Sequence, residues 1–130
     1  MTHFQPENEL ETLFLDAYAD PKRRPAFFRK LLDATIYVMD DPHLNDGAAK
    51  DPGIRMLDIK GVGHVPAFSS IERIREFGNA AASYHEVPAR ALLESVSNRP
   101  LILNPGSSPA KIFSREEIAA LLDGTLLVDY

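Results

Sequence analysis

Hydrophobic residues recur at helical spacing in two stretches near the beginning of the chain. Between residues 8 and 19 they fall three or four positions apart, which predicts one buried face of an amphipathic helix. Asn8 and Glu11 have the spacing of a capping box, so each side chain can accept a hydrogen bond from a backbone N–H that the first helical turn leaves free. A second helix is predicted to begin near Pro25, because the missing N–H of proline is harmless in the first turn.

Runs rich in β-branched and aromatic residues alternate with further helices along the rest of the chain. Helices are expected to begin at Ser69, Pro88 and Ser114, and the first and last of these again show a serine followed three residues later by glutamate. Strands are predicted over residues 35–39, 54–60, 62–68, 84–87 and 101–103, with a possible final strand over 126–128. The pattern therefore predicts a single α+β domain, with a central mixed sheet of about five strands flanked by about five helices.

Residues 40–53 lack any hydrophobic periodicity. They are rich in Asp, Pro and Gly, which predicts a long mobile loop between two strands. Its acidic part does not fit a calcium-binding loop, because Gly47 comes one place late and Pro52 stands where a bidentate glutamate is needed.

Composition narrows the class of protein. The 130 residues are enough for one domain, and a hydrophobic fraction of 45% is ordinary for a globular protein. A formal net charge of -5 argues against a nucleic-acid partner, and the lack of an apolar run of about 18 residues argues against a membrane span. With no cysteine and a polar, acidic start, we expect a cytoplasmic protein that has neither a disulfide nor a thiolate metal site.

The residues that usually carry catalysis do not form a recognisable constellation. The four histidines show no i, i+3 or i, i+4 pair, so no metal site is predicted. The serines lack a G-x-S-x-G frame, and the adjacent carboxylates point in different directions along a helix or strand. We therefore expect neither enzymatic activity nor a cofactor.

Two turns that follow apolar strands are the best candidates for a binding site, since ligands of open α/β sheets bind outside the carboxyl ends of the strands. One reading is that both turns line a single shallow groove that holds an anion. The other is that their polar side chains only stabilise the turns. The residues concerned are Phe68, Ser69, Ser70, Asn104, Pro105, Gly106 and Ser107.

Positive charge is concentrated around the start of the second predicted helix. This basic patch is either a solvated helix face or a surface that binds an anion or an acidic partner. It consists of Lys22, Arg23, Arg24, Arg29 and Lys30.

Three sequence segments carry a resemblance to a known family. They are NELE…A…DP…FFRKLL near the start, VPAFSSIERI in the middle, and LILNPGSS…FSREEIAALLDG near the end. In order and spacing these segments resemble the N-terminal domain of the SseB-like family, whose name refers to enhanced serine sensitivity. The resemblance implies a non-enzymatic α/β module with no catalytic residues to carry over. Longer relatives carry a second domain, which we expect to be missing here because the chain ends shortly after Gly124.

These observations favour a small interaction or regulatory module that binds a protein partner of unknown identity. Two alternatives remain: a domain that binds a small anionic metabolite, and a secretion-associated accessory protein, the latter only through the family name. Residues 126–128, if they form an exposed strand edge, would allow a homo-oligomer.

Overall fold

The secondary structure follows the predicted alternation of helices and strands. The computed structural model describes residues 5–39, 57–77, 84–96, 99–107 and 109–127. Its helices are α1 (Glu9–Ala19), α2 (Arg24–Asp33), α3 (Ile71–Phe77), α4 (Ala89–Ser95) and α5 (Arg115–Leu122), with 3₁₀ helices at Pro21–Arg23 and Thr125–Leu127. Its strands are β1 (Thr35–Met39), β2 (Leu57–Ile59), β3 (Val62–Ala67), β4 (Tyr84–Pro88), β5 (Leu101–Leu103) and β6 (Lys111–Phe113). The predicted α+β class is confirmed.

The ends of the helices show how much the local sequence decides. At α5 both halves of the capping box form: Ser114 Oγ accepts from Glu117 N at 3.1 Å, and Glu117 Oε1 accepts from Ser114 N at 3.2 Å. At α1 only half forms, since Asn8 Oδ1 accepts from Glu11 N at 2.9 Å while Glu11 Oε1 accepts from Glu7 N. The carboxylate of Glu11 therefore satisfies a donor one residue before the predicted one.

The sheet is more divided than predicted. The described strands form a two-stranded antiparallel pair, β1–β4, and a four-stranded sheet in the order β2–β3–β5–β6, in which only β3 and β5 are parallel. A single antiparallel bridge joins the two, with Tyr37 and Phe68 exchanging backbone hydrogen bonds of 2.9 and 2.8 Å. The prediction of about five strands missed β6 as a separate strand, because three residues are too few to show alternation.

Alternate residues of the strands divide the core between the two faces of the sheet. Ile36, Val65, Leu101 and Phe113 belong to the main buried cluster together with residues of α1, α2, α4 and α5. A smaller cluster of Met39, Phe68 and Ile74 lies on the other face beneath α3. Because successive side chains of a strand point to opposite faces, this division follows from the sequence once the sheet is formed.

The predicted final strand is wrong for the part of it that the structure describes. Thr125–Leu127 is a 3₁₀ helix, and Leu127 N donates to Gly124 O at 3.1 Å. Gly124 has a φ of +90°, which turns the chain back so that Leu126 and Leu127 pack against the main core. The strand edge on which the expected homo-oligomer rested is therefore absent from this part of the chain, while residue 128 and the loop predicted over 40–53 lie outside the described residues.

Candidate functional site

The two turns singled out from the sequence meet in the structure. Because β3 and β5 are parallel neighbours, their carboxyl ends lie at the same edge. Asn104 N donates to Ala67 O at 2.7 Å, and Asn104 Oδ1 accepts from Ser69 N at 2.9 Å. Asn104 Nδ2 also donates to Ser69 Oγ at 2.9 Å. The side chain of one turn therefore holds the backbone of the other.

The start of α1 closes over these turns and completes a buried polar cluster, defined here as Asn8, Glu11, Ser69, Arg73 and Asn104. Glu11 is 0% exposed and accepts a hydrogen bond from Ser69 Oγ at 2.5 Å. Its Oε2 also lies 3.5 Å from Arg73 Nε, and Arg73 is 1% exposed. Asn8 Nδ2 donates to Ser69 O at 2.9 Å, so the cluster ties α1 to the β3–α3 turn.

The sequence did not predict the roles of two members of the polar cluster, Ser69 and Arg73. Ser69 was predicted to cap the next helix, but α3 begins only at Ile71 and the Ser69 hydroxyl bonds to Glu11 and Asn104 instead. Arg73 was not singled out at all. Nothing in its local sequence distinguishes it from a solvent-facing arginine, because the carboxylate that it pairs with lies on a distant helix.

The remaining residues of the two turns also have structural surroundings. Phe68 is fully buried, Pro105 is buried, and Ser107 Oγ donates to Glu76 Oε1 at 3.1 Å. A Cβ atom at Gly106 would lie 3.2 Å from Phe77 Cδ1, and Gly106 has a φ of +82°, so glycine suits this position on both counts. Ser70 Oγ is buried and has no hydrogen-bond partner among the described residues. The turns are thus brought together, and their side chains line neither of the grooves described below.

The basic patch is split between several surroundings. Lys30 Nζ lies 2.8 Å from Glu9 Oε1 on α1, and Arg29 Nη1 donates to Leu127 O. Arg23 Nε lies 3.9 Å from Asp20 Oδ2. Arg24 makes no ion pair with the described residues and lines a groove, while Lys22 is exposed in the adjacent 3₁₀ helix.

Three acidic groups of the described residues have displaced pKa values, and none of them lines a groove. The hydrogen bond from Lys30, with its charge, lowers the pKa of Glu9, and the hydrogen bonds from Thr125 lower the pKa of Asp123. Burial, followed by the charge of Glu86, raises the pKa of Tyr37.

Replacing Lys30 with Met is expected to return the pKa of Glu9 toward its ordinary value of 4.5. The lowered pKa means that the pair stabilises the folded state above the unfolded pKa of the carboxyl, and that this contribution is lost as the pH falls through the folded value. An NMR titration of the Glu9 side-chain carboxyl carbon in both proteins measures the shift. Arg75→Met, which removes an exposed cation of α3, should leave Glu9 unchanged. An identical Glu9 pKa in wild type and Lys30→Met would contradict the assignment.

A groove with an aromatic floor lies between the first two helices and β6. We call it the edge groove. It has a volume of about 310 Å³ and is lined by Phe14, Ala17, Tyr18, Arg24, Phe27, Phe28, Ala110, Lys111 and Ile112. The floor is packed: the ring centroids of Phe14 and Phe27 lie 5.2 Å apart, and those of Phe27 and Phe28 lie 5.5 Å apart. Tyr18 is 60% exposed at its rim.

The wall of the edge groove is the outer edge of β6, which no other described strand covers. On the side of β5 that faces β3, Pro100 O accepts a hydrogen bond from Val65 N, and Asn104 N donates to Ala67 O. Backbone groups of successive strand residues point to opposite neighbours, so Leu101 and Leu103 bond to β6, opposite Phe113 and Lys111. The N–H and C=O of Ile112 therefore point away from the sheet, and β6 is the last strand in its order.

A second groove, of about 660 Å³, lies at the other end of β6. It is lined by Gly61, Val62, Gly63, Arg99, Pro100, Ser114, Arg115 and Glu116. The start of α5 borders it, but Ser114 Oγ and Glu117 Oε1 already accept hydrogen bonds from two backbone donors there. This groove therefore offers an anion fewer free backbone donors than a bare helix N-terminus would.

Two further features are absent from the described ranges. No group of three or more His, Cys, Asp or Glu side chains is placed to hold a metal ion there. In the same residues, no helix combines the length and the apolar character needed to cross a membrane.

Comparison with known proteins gives the family. The sequence model described as the SseB protein N-terminal domain matches residues 12–120. The chain belongs to this SseB N-terminal domain family. It is 29% identical over 121 residues to Protein SseB of Escherichia coli (strain K12), and equally to Protein SseB of Shigella flexneri. Each match covers 91% of this chain and 47% of the relative, so the chain spans about half the length of the curated relatives it matches.

The match confirms the family resemblance drawn from the sequence. Residues 12–120 of the SseB-family domain include α2, the β3–α3 turn and β5 with the turn that follows it, which were among the segments that carried that resemblance. They also include every described lining residue of the edge groove, from Phe14 to Ile112. No solved structure matches the chain.

Proposed function

We propose that this SseB-family domain is a non-enzymatic interaction module that docks a segment of a protein partner in the edge groove. The observation that carries the proposal is that an aromatic floor lies beside a strand edge that no other described strand covers. Edge strands with unpaired backbone groups pair readily with an added chain, and apolar grooves hold its side chains.

The surroundings of the polar residues support a binding role over catalysis. Ser69, Asn104 and Glu11 are buried and hydrogen-bonded to one another, so their polar atoms are already engaged inside the domain. A general acid, base or nucleophile needs to reach the substrate. In the edge groove, by contrast, Tyr18 and Arg24 are exposed to solvent beside the buried rings of Phe14, Phe27 and Phe28.

Photo-crosslinking tests this proposal. Tyr18 at the rim of the edge groove is replaced by p-benzoylphenylalanine, and the protein is irradiated in extract of its own cells. The matched control carries the same group at Tyr84, which is 41% exposed and lies on β4. In the order of paired strands, β1, β3 and β5 separate β4 from β6.

We expect a discrete crosslinked product from position 18 and not from position 84, because only position 18 borders the groove. Mass spectrometry identifies the product, and a product formed only between two copies of this chain would identify self-association as the use of the groove. Equal products from both positions, or none from either, would contradict the proposal.

A further inference from the structure

We infer that the edge groove recognises an extended acidic segment that carries one aromatic or large aliphatic side chain and adds to β6 as an extra strand. This inference rests on the proposed function and specifies the chemistry of the partner. Three features of the described residues carry it: the charges that line the groove, the direction of the β6 backbone, and the shape of the floor.

The charge of the groove is opposite to that of the whole chain. Among the described residues that line it, Arg24 and Lys111 are cations and none is a carboxylate, although the chain has a formal net charge of -5. Arg24 makes no ion pair with the described residues, and it is exposed. Lys111 Nζ lies 3.1 Å from Glu117 Oε2 and 4.8 Å from the centre of the Phe113 ring, so part of its charge is already compensated. An acidic segment would therefore gain chiefly from Arg24.

The backbone of β6 favours an extended partner. The outward N–H and C=O of Ile112 can bond to one residue of an added strand. That strand would lie about 4.8 Å from β6. Phe113 packs on the helix side of the sheet, so the side chain of Ile112 points to the opposite face and leaves its backbone at the groove. Lys111 Nζ donates to Ile112 O at 3.4 Å, which is long for a hydrogen bond, so a backbone donor of the added strand could replace it.

The volume of the edge groove limits the size of the side chain that the segment can insert. A volume of about 310 Å³ lies at the lower end of the range for ligand pockets, about 300–1,000 Å³. Alternate residues of an added strand would face the helices, and the groove has room there for one large apolar side chain against Phe14, Phe27 and Phe28. Acidic residues on either side of this anchor would then lie near Arg24 and Lys111.

A display library of random ten-residue peptides tests the inference without assuming a partner sequence. The library is selected on the purified domain and counter-selected on Ile112→Pro, which leaves the charges of the groove unchanged. Proline at position 112 removes the outward N–H without removing a bond to β5, because that N–H faces away from the sheet. We expect the enriched peptides to carry net negative charge and one large apolar residue.

The best enriched peptide is then synthesised with a fluorescent label and measured by anisotropy. Arg24→Glu is expected to weaken binding by about fivefold to tenfold, and added salt should reduce the difference from wild type. Arg75→Glu is the matched control, because Arg75 is an exposed arginine of α3, the helix packed on the other face of the sheet.

Ile112→Pro should weaken binding more than Ile112→Ala, which shortens the side chain and keeps the N–H. Circular dichroism confirms the fold of each variant, and if Ile112→Pro does not fold, the Arg24→Glu comparison decides the result.

The outcomes separate the two proposals. Groove-dependent peptides that are basic or uncharged would overturn the acidic partner and leave the proposed function standing. Equal weakening by Arg24→Glu and Arg75→Glu would likewise overturn it. No groove-dependent enrichment, together with no crosslink from position 18, would overturn both.

Discussion

Replacing Arg73 with Met is expected to lower the free energy of unfolding by about 3–5 kcal/mol, the cost of breaking a buried ion pair by removing one partner. Arg73 is 1% exposed and its Nε lies 3.5 Å from Oε2 of Glu11, which is 0% exposed. The substitution removes the cation that lies against the buried Glu11 carboxylate. Arg73 also donates to Glu76 Oε1 at 2.9 Å and to Gln5 O at 3.3 Å, and both bonds are lost with it.

Urea denaturation of wild type and two further variants measures this effect. Arg75→Met removes an ion pair of 3.4 Å from the same helix, but Arg75 is 60% exposed, so we expect a loss of about 1 kcal/mol or less. The double variant Glu11→Gln/Arg73→Met should be more stable than Arg73→Met alone, because a neutral amide needs no buried cation. A loss from Arg73→Met no larger than that from Arg75→Met would show that the pair is not buried in the folded protein.

Replacing Asn104 with Ala is expected to destabilise the domain by about 3 kcal/mol, from two separable causes. The Asn104 side chain accepts from Ser69 N and donates to Ser69 Oγ, and a buried donor left without a partner costs about 1–3 kcal/mol. Asn104 also has a φ of +58°, a left-handed conformation that costs a residue with a Cβ about 1–2 kcal/mol and that asparagine tolerates better than alanine.

Asn104→Gly separates the two causes. Glycine loses the same side-chain hydrogen bonds but adopts positive φ freely, so we expect Asn104→Gly to be more stable than Asn104→Ala by about 1 kcal/mol. Guanidinium unfolding curves with unchanged slopes would make the midpoints comparable. Equal losses would mean that the left-handed backbone at position 104 contributes nothing measurable, and a negligible loss in both would mean that the link to Ser69 is not needed.

The two variants also bear on how the domain presents its groove. The polar cluster fixes the start of α1 against the β3–α3 turn through Asn8 and Glu11. The same helix supplies Phe14 and Tyr18 to the edge groove. A domain that loses the cluster is therefore expected to lose the position of Phe14 and Tyr18 in the edge groove, so binding measurements should be confined to variants whose fold has been verified.

The binding-site candidates drawn from the sequence had different outcomes. Parallel strand ends did bring Ser69 and Asn104 together, as the position of each turn after an apolar strand suggested. Their use inside the domain could not be read from the sequence, because it depends on Glu11, which lies on the first helix. Whether these turns bind any ligand stays a prediction, and of the basic patch only Arg24 lines the edge groove.

The sequence by itself determined what nearby residues decide: the helix that starts after the Ser114 cap, the strand before Asn104, the α+β class and the family. Those features depend on backbone donors and side-chain faces within a few residues of each other. The tertiary structure decided the rest, including the bond between Ser69 and Glu11, which are 58 positions apart in the chain, and the joining of Phe14 with Ile112 in one groove. Such contacts depend on strand order and helix packing, which hydrophobic periodicity does not determine. For this reason the local sequence around Glu11 predicted only a helix cap and not a buried carboxylate.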